Sequence, residues 1–197
     1  FAADAYGRLT GIPGIALATS GPGATNLITG ICSSYFDSSP TVFITGQVNR
    51  DEIKGDKKVR QLGFQETDIV SVVSPITKKT FLVTSPDDIP DILKDAFVIA
   101  TEKRLGPVVI DIPMDVQREL INVDKIEKIT SKTTHNKLVT SEMLELINSI
   151  KEAKRPIILA GGGIHSSNSL EKFREFVRIV KIPVVNSLMA VDALPYL

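Results

Sequence analysis

Short apolar blocks alternate along this chain with stretches in which apolar residues recur at helical spacing. Gly14-Ile15-Ala16-Leu17-Ala18-Thr19 is an apolar run opened by glycine, and it reads as a buried strand. Thr41 to Thr45 is a second β-rich run, ended by Gly46. Lys79 to Val83 reads as a third, and Val108-Val109-Ile110-Asp111-Ile112 as a buried fourth, stopped by Pro113. Between them, Leu27, Ile28, Ile31, Cys32 and Tyr35 predict one buried helix face. Ile89, Ile92, Leu93, Ala96, Phe97 and Ala100 predict another, on a helix capped by Ser85 or Asp87. Asp87 and Asp88 lie near the positive end of that helix, and Lys103 and Arg104 near its negative end. Such alternation predicts an α/β fold whose parallel sheet is covered on both faces.

The pattern then changes. From Gln117 to Thr140 the chain is polar, rich in Lys and Thr, and without clear periodicity, too long a stretch for an ordinary loop. Residues 119–139 are therefore read as a linker between a unit at 1–118 and a second α/β unit at 140–197. In the second unit Ser141 is expected to cap a helix that buries Leu144 and Ile147. Arg155 to Ala160 reads as a strand running into Gly161-Gly162-Gly163. A helix over 170–180 should bury Phe173, Phe176 or Val177, and Val180, and Ile182 to Val185 is the next strand. The chain opens on Phe1 to Arg8, which reads as the end of a helix without a start signal, and it stops at Leu197 in mid-pattern. A fragment of a longer protein is expected.

Composition narrows the function classes. Apolar residues make up 43% of the 197, enough for a sizeable core, so disorder is excluded as the main reading. Lys+Arg and Asp+Glu number 23 each, and this balance favours neither nucleic acid nor an anionic membrane surface as partner. No apolar run approaches the roughly 20 residues that cross a bilayer, and Asp4 and Arg8 argue against a signal peptide. One cysteine, Cys32, excludes an internal disulfide framework, and a cytoplasmic location is expected.

Thr19-Ser20-Gly21-Pro22-Gly23-Ala24-Thr25-Asn26 joins a strand end to a helix start, where open α/β sheets bind ligands. Physics alone leaves it equally a ligand turn or a tight turn. Gly161-Gly162-Gly163 follows a strand but is not G-x-G-x-x-G, so a tight turn competes there with a nucleotide site. Lys54, Lys57, Lys58 and Arg60 lie in a polar stretch from Asn49 to Gly63, read as an exposed loop, with an anion site as the alternative. His135 and His165 lack metal-ligand spacing and read as surface residues, and Cys32 reads as a small buried hydrophobe. Ser20 is not in a G-x-S-x-G elbow, which rejects a serine hydrolase.

Several strings resemble the thiamine-diphosphate enzymes of the acetolactate (acetohydroxyacid) synthase type. They are A-A-D-A-Y-G-R-L-T-G at Ala2–Gly11, A-T-S-G-P-G-A-T-N-L at Ala18–Leu27, I-T-G-Q-V at Ile44–Val48, G-F-Q-E-T-D-I-V at Gly63–Val70 and G-P-V-V-I-D-I-P at Gly106–Pro113. The resemblance implies a partial pyrimidine-binding domain over 1–118, followed by a partial, Rossmann-like central domain. It implies decarboxylation of a 2-oxoacid, with pyruvate expected, and transfer of the two-carbon unit to a second carbonyl, a transferase or lyase activity of the full-length protein. By the same resemblance Pro22 and Asn26 line the cofactor pocket beside the pyrimidine, and Phe64 and Gln65 lie near the thiazolium and the substrate. Arg104, Gly161, Gly162, Gly163, Ser187, Leu188 and Met189 match residues that contact FAD in the synthase branch.

The family's activating glutamate falls before Phe1, so the fragment alone should be inactive. Mg²⁺ is held in a further domain through a G-D-G motif. The nearest string here, Gly55-Asp56-Lys57, is not that motif, and no metal site is expected in this chain. The family also implies a homodimer or homotetramer, active sites across the dimer interface, and a regulatory subunit as a further partner. Three departures bear on the reaction. Asn49 stands where proline usually follows G-Q-V, the segment to Gly63 is longer, and Met114 replaces a lysine near the substrate channel. Two other readings stay open: a 2-oxoacid decarboxylase without flavin, and a non-catalytic nucleotide-binding or assembly module.

Overall fold

A computed structural model of the chain describes residues 1–121 and 140–195. The greater part of the expected linker, with His135, lies outside the described residues. The chain divides into two compact units, Phe1–Ser131 and Lys132–Leu197.

The first unit begins with helix α1 (Ala2–Thr10), then strand β1 (Gly14–Ala18) and two helices in succession, α2 (Pro22–Asn26) and α3 (Ile28–Asp37). Strand β2 (Thr41–Gln47) follows, then the polar stretch and the short helix α4 (Ile69–Val73). Strand β3 (Lys79–Leu82), helix α5 (Ile89–Thr101), strand β4 (Pro107–Pro113) and a single turn of helix, α6 (Met114–Arg118), complete it. The four strands form one parallel sheet in the order β1-β2-β4-β3. All their carboxyl ends therefore open on the same edge.

Alternation along the central strands explains both layers. Val42, Val108 and Ile110 face one side, where Ala96 and Ala100 of α5 pack against them with Val83 and Val116. Phe43 and Val109, one residue out of phase, face the other side and meet Ala24, Ile31, Ile69 and Val73. The absence of polar residues from most of β4 is the signature of a strand covered twice, and Asp111 is the exception.

Two expectations for this unit are corrected. β1 is an edge strand rather than a buried one. Ile15 is exposed and Leu17 is 75% exposed, because among the described residues nothing covers that side of the strand. On α3 the buried face carries Gly30, Ile31 and Ser34, while Tyr35 is exposed and Cys32 only half-buried. Of the two expected cap candidates, Ser85 is the one that caps the turn leading into α5; its hydroxyl accepts from the Asp87 amide at 3.3 Å.

The second unit contains helix α7 (Thr140–Glu152), strand β5 (Ile158–Ala160), the short helix α8 (Gly163–Ser166), helix α9 (Leu170–Val180) and strand β6 (Val184–Asn186). β5 and β6 pair in parallel. Its core is small: Ala160, Ala190 and Ala193, with Phe173, Ile164, Leu170 and Val184 packed around them. Leu144 and Ile147 of α7 are exposed rather than buried, since no described element packs on them. Ser141 lies inside α7, not at its cap. On α9 it is Val177, not Phe176, that turns inward, because the helix leans on the sheet through Phe173. Among the described residues no helix is long and apolar enough to cross a membrane.

Candidate cofactor and substrate site

The carboxyl edge of the first sheet gathers four loops. The turn after β1 runs through Ser20 and Gly21 into Pro22, the first residue of α2. Gly21 and Gln65 are in close approach, though 44 residues separate them in the chain. A Cβ built at Gly21 would stand 2.8 Å from the Gln65 Cβ and 3.0 Å from its carbonyl oxygen. The glycine turn and the Phe64–Gln65 loop are thus two walls of one place. Gly46, near the end of β2, borders the same turn at ordinary packing distance: Ser20 N and Thr19 Cα lie 3.8 Å from where its Cβ would be, and Gln117 Nε2 lies 3.6 Å away. Gln117 is held there by donating to the Ile112 carbonyl at 2.7 Å.

Gln65 sits at the third position of a tight turn, closed by the Glu66 amide on the Gly63 carbonyl at 3.2 Å. Its φ is +63°, which side-chain-bearing residues seldom adopt. Backbone held in that region tends to cluster at functional sites. Gln65 is half-buried, Pro22 and Asn26 are exposed, and Phe64 is 82% exposed.

Beneath this loop lies a polar cluster that the sequence reading did not pick out. Asp111 is 1% exposed. Thr45 Oγ1, its register neighbour on β2, donates to Oδ1 at 2.6 Å, and Gln47 Nε2 donates to Oδ2 at 2.9 Å. The same Gln47 nitrogen donates to the Thr67 carbonyl at 2.7 Å, while Gln47 Oε1 accepts from the Val48 amide at 3.0 Å. Every polar atom of Gln47 is therefore committed, and its amide ties the buried carboxylate to the loop that carries Gln65. Burial pushes the Asp111 carboxyl up to about 6; the Thr45 and Gln47 bonds oppose that rise and the Asp68 charge adds to it. A recess of about 180 Å³ adjoins the cluster, with Gln47, Thr67, Asp68 and Asp111 in its walls but neither Pro22 nor Gln65. One signal could have found the cluster: a carboxylate within a doubly covered apolar strand must have donors waiting for it.

Asn49, one of the departures, opens a turn at 50–52 in which its own amide donates to Glu52 Oε2 at 3.1 Å. Proline has no N–H to offer there. Arg50 then spans to Asp115 at 2.6 Å and to Glu119, and donates to the Thr84 carbonyl at 2.8 Å, lashing α6 to the ends of β2 and β3.

In the second unit, Gly162 and Met189 are neighbours, with 3.1 Å between a Cβ built on the glycine and the Met189 Cβ. The Ser187 amide donates to the Ala160 carbonyl at 2.9 Å. Gly161–Gly163 and Ser187–Met189 thus meet at the carboxyl ends of β5 and β6, and Leu188 between them is exposed. Arg104 belongs to the first unit, where its Nε donates to Ser38 Oγ at 2.8 Å. His165, taken as a surface residue, is hydrogen-bonded to Asp192 at 2.9 Å. Among the described residues no group of three or more His, Cys, Asp or Glu side chains is arranged to hold a metal ion.

The chain was also compared with known proteins. Residues 1–72 match the thiamine pyrophosphate enzyme N-terminal TPP binding domain, and residues 143–197 match the thiamine pyrophosphate enzyme central domain. Acetolactate synthase 2, chloroplastic, of Nicotiana tabacum is 42% identical over 199 residues, which are 99% of this chain and 29% of that protein. The acetolactate synthase large subunit of Buchnera aphidicola subsp. Schizaphis graminum is 44% identical over 200 residues, 98% of this chain and 34% of the relative. The probable acetolactate synthase large subunit of Methanocaldococcus jannaschii is 41% identical over 202 residues, 98% and 33%. The chain therefore spans about a third of the length of these relatives.

Proposed function

Because the chain belongs to the thiamine pyrophosphate enzymes, we propose that the whole protein is an acetolactate synthase-like carboligase. It takes CO₂ from a 2-oxoacid, pyruvate in our reading, and joins the two-carbon remainder to a second carbonyl. The observation that carries this is the meeting of the Gly21–Pro22 turn with Gln65. Two strings that the reading assigns to one heterocycle, far apart in the chain, stand side by side at a sheet's carboxyl edge. The residues fit the cofactor in that sense. Thiamine diphosphate, when bound, supplies the electron sink for decarboxylation.

In this proposal Pro22 and Asn26 border the pyrimidine, and Phe64 and Gln65 face the reacting end and orient the substrate. Residues 1–118 are part of the pyrimidine-binding domain, 119–139 the linker and 140–197 part of the central domain. FAD is held in the second unit through Gly161–Gly163 and Ser187–Met189, which the contact between Gly162 and Met189 supports; Arg104 is assigned to FAD by the resemblance alone. Mg²⁺ is bound by a part of the protein outside this chain, and this chain alone is inactive. A homodimer or homotetramer, with a regulatory subunit, completes the assembly. A cytoplasmic location is part of this reading. The names of the relatives favour the carboligase over the decarboxylase and over a non-catalytic module.

The test is full-length protein incubated with pyruvate, thiamine diphosphate and Mg²⁺, with products identified by mass spectrometry. Acetolactate is the expected product. Acetaldehyde alone would move the assignment to a decarboxylase, and no CO₂ release would leave the module. In the same assay Gln65→Ala should lower kcat about tenfold with the circular dichroism spectrum unchanged. Unaltered kinetics would remove Gln65 from the site.

A further inference from the structure

The loop that precedes Gln65 has almost nothing to rest on. Residues 55–62 are all exposed, and they include Lys57, Lys58 and Arg60. Within the loop two backbone bonds act locally, the Lys57 amide to the Lys54 carbonyl and the Val59 amide to the Lys57 carbonyl. At its base the Gly63 amide donates to the Glu52 carbonyl at 2.9 Å. The remaining fastening is one side chain. Glu66 Oε1 accepts from the Lys54 amide at 2.7 Å and Oε2 accepts from the Leu62 amide at 2.7 Å. Both carboxylate oxygens thus grip the backbone, on the two sides of the exposed segment.

Glu66 is also the last residue of the Gly63–Glu66 turn, directly after Gln65 with its φ of +63°. Turns with a positive φ at the third position favour glycine or asparagine there. Glutamine holds such a conformation only where the surroundings over-determine it. With its amide on Gly63 and its carboxylate on Lys54 and Leu62, Glu66 supplies that constraint. We propose that Glu66 is a positioning residue, whose carboxylate clamps the 54–62 loop and thereby keeps Gln65 seated against Gly21. This rests on the role of Gln65 given above.

The experiment uses the full-length holoenzyme with Glu66→Gln, Gln65→Ala and the double variant. Glutamine at 66 keeps the size and one acceptor but sets an NH₂ against one of the two amides. Expected are a kcat lowered about tenfold with KM for pyruvate nearly unchanged, and a double variant no slower than Gln65→Ala alone. Trypsin should cut after Lys57, Lys58 or Arg60 several-fold faster in Glu66→Gln, with the melting temperature held. Should Glu66→Gln fail to fold, Glu66→Asp reads the same split, because it keeps the charge but falls one methylene short of spanning both amides. An unchanged trypsin rate, or effects of the two single variants that multiply in the double, would overturn the proposal while leaving Gln65 in the site. A Gln65→Ala enzyme of full activity would overturn the site reading, and the positioning role with it.

Discussion

Gly21→Ala is expected to separate the two walls of the site, and to do so more severely than any change to the exposed residues around it. Two independent costs coincide at this position. Its backbone, φ +62° and ψ −125°, lies in a region that essentially only glycine occupies, so alanine carries strain of about 1–3 kcal/mol. The added methyl would also stand 2.8 Å from the Gln65 Cβ and 3.0 Å from its carbonyl oxygen, closer than packed carbons tolerate. Gln65 cannot relieve the clash by changing rotamer, because the contacts are with its Cβ and its backbone. The turn or the loop must move. Thiamine diphosphate affinity of the full-length protein should fall by about a hundredfold, equivalent to roughly 3 kcal/mol, with a melting temperature lowered by several degrees. Gly11→Ala is the control. Gly11 also has a positive φ, +71°, where it ends α1, but nothing lies within 4 Å of its added Cβ. It should lose about 1 kcal/mol of stability and no cofactor affinity. Isothermal titration with both variants separates the two costs, and near-normal binding by Gly21→Ala would show that the walls do not need to touch.

That contrast also indicates what was legible in the sequence. Local pattern is enough for the layers: Val42, Phe43, Val108 and Val109 alternate between the two faces as a doubly covered strand requires. It is not enough for position within the sheet. Gly14–Ala18 has the apolar composition of a central strand, yet among the described residues it pairs on one side only. α7 fails for a related reason. Its stripe of Leu144 and Ile147 has the right period, yet burial needs a surface to pack on, and period alone does not supply one. For the proposed site, the resemblance names Pro22, Asn26, Phe64 and Gln65 but gives no reason to name Glu66 or Gln47. Their importance lies in hydrogen bonds to backbone groups, and backbone groups leave no mark in residue identities. Asp111 was the exception that could have been argued from composition alone, and it is the residue whose behaviour can be checked most directly.

Asp111 should make the stability of the first unit fall as pH rises from about 4 to about 6. Its carboxyl has an ordinary value of 3.8 when the chain is unfolded and about 6 when folded, chiefly because burial penalises the charged form. Between those values the folded state holds a proton that the unfolded chain releases. The group's contribution is most favourable below pH 4. It is lost as pH climbs through 6, and the full difference is about 3 kcal/mol. Asp111→Asn removes the titration. It also carries a pH-independent cost of about 1–2 kcal/mol, because the new NH₂ faces the Gln47 nitrogen, or else the Thr45 hydroxyl must turn away. The stability of the native chain relative to the variant should therefore fall by about 2 kcal/mol between pH 4 and pH 7 in urea titrations; parallel curves would refute the assignment. The same proton has a second consequence. Gln47 Nε2 divides its two hydrogens between Asp111 and the Thr67 carbonyl. An ionised Asp111 holds that amide more firmly than a neutral one, so the charge is costly to the fold but steadies the loop beneath Gln65. Hydrogen exchange at Gln65 to Thr67 should accordingly quicken as pH drops through 6, after correction for the intrinsic rate, and Asp111→Asn should exchange at the faster rate at every pH.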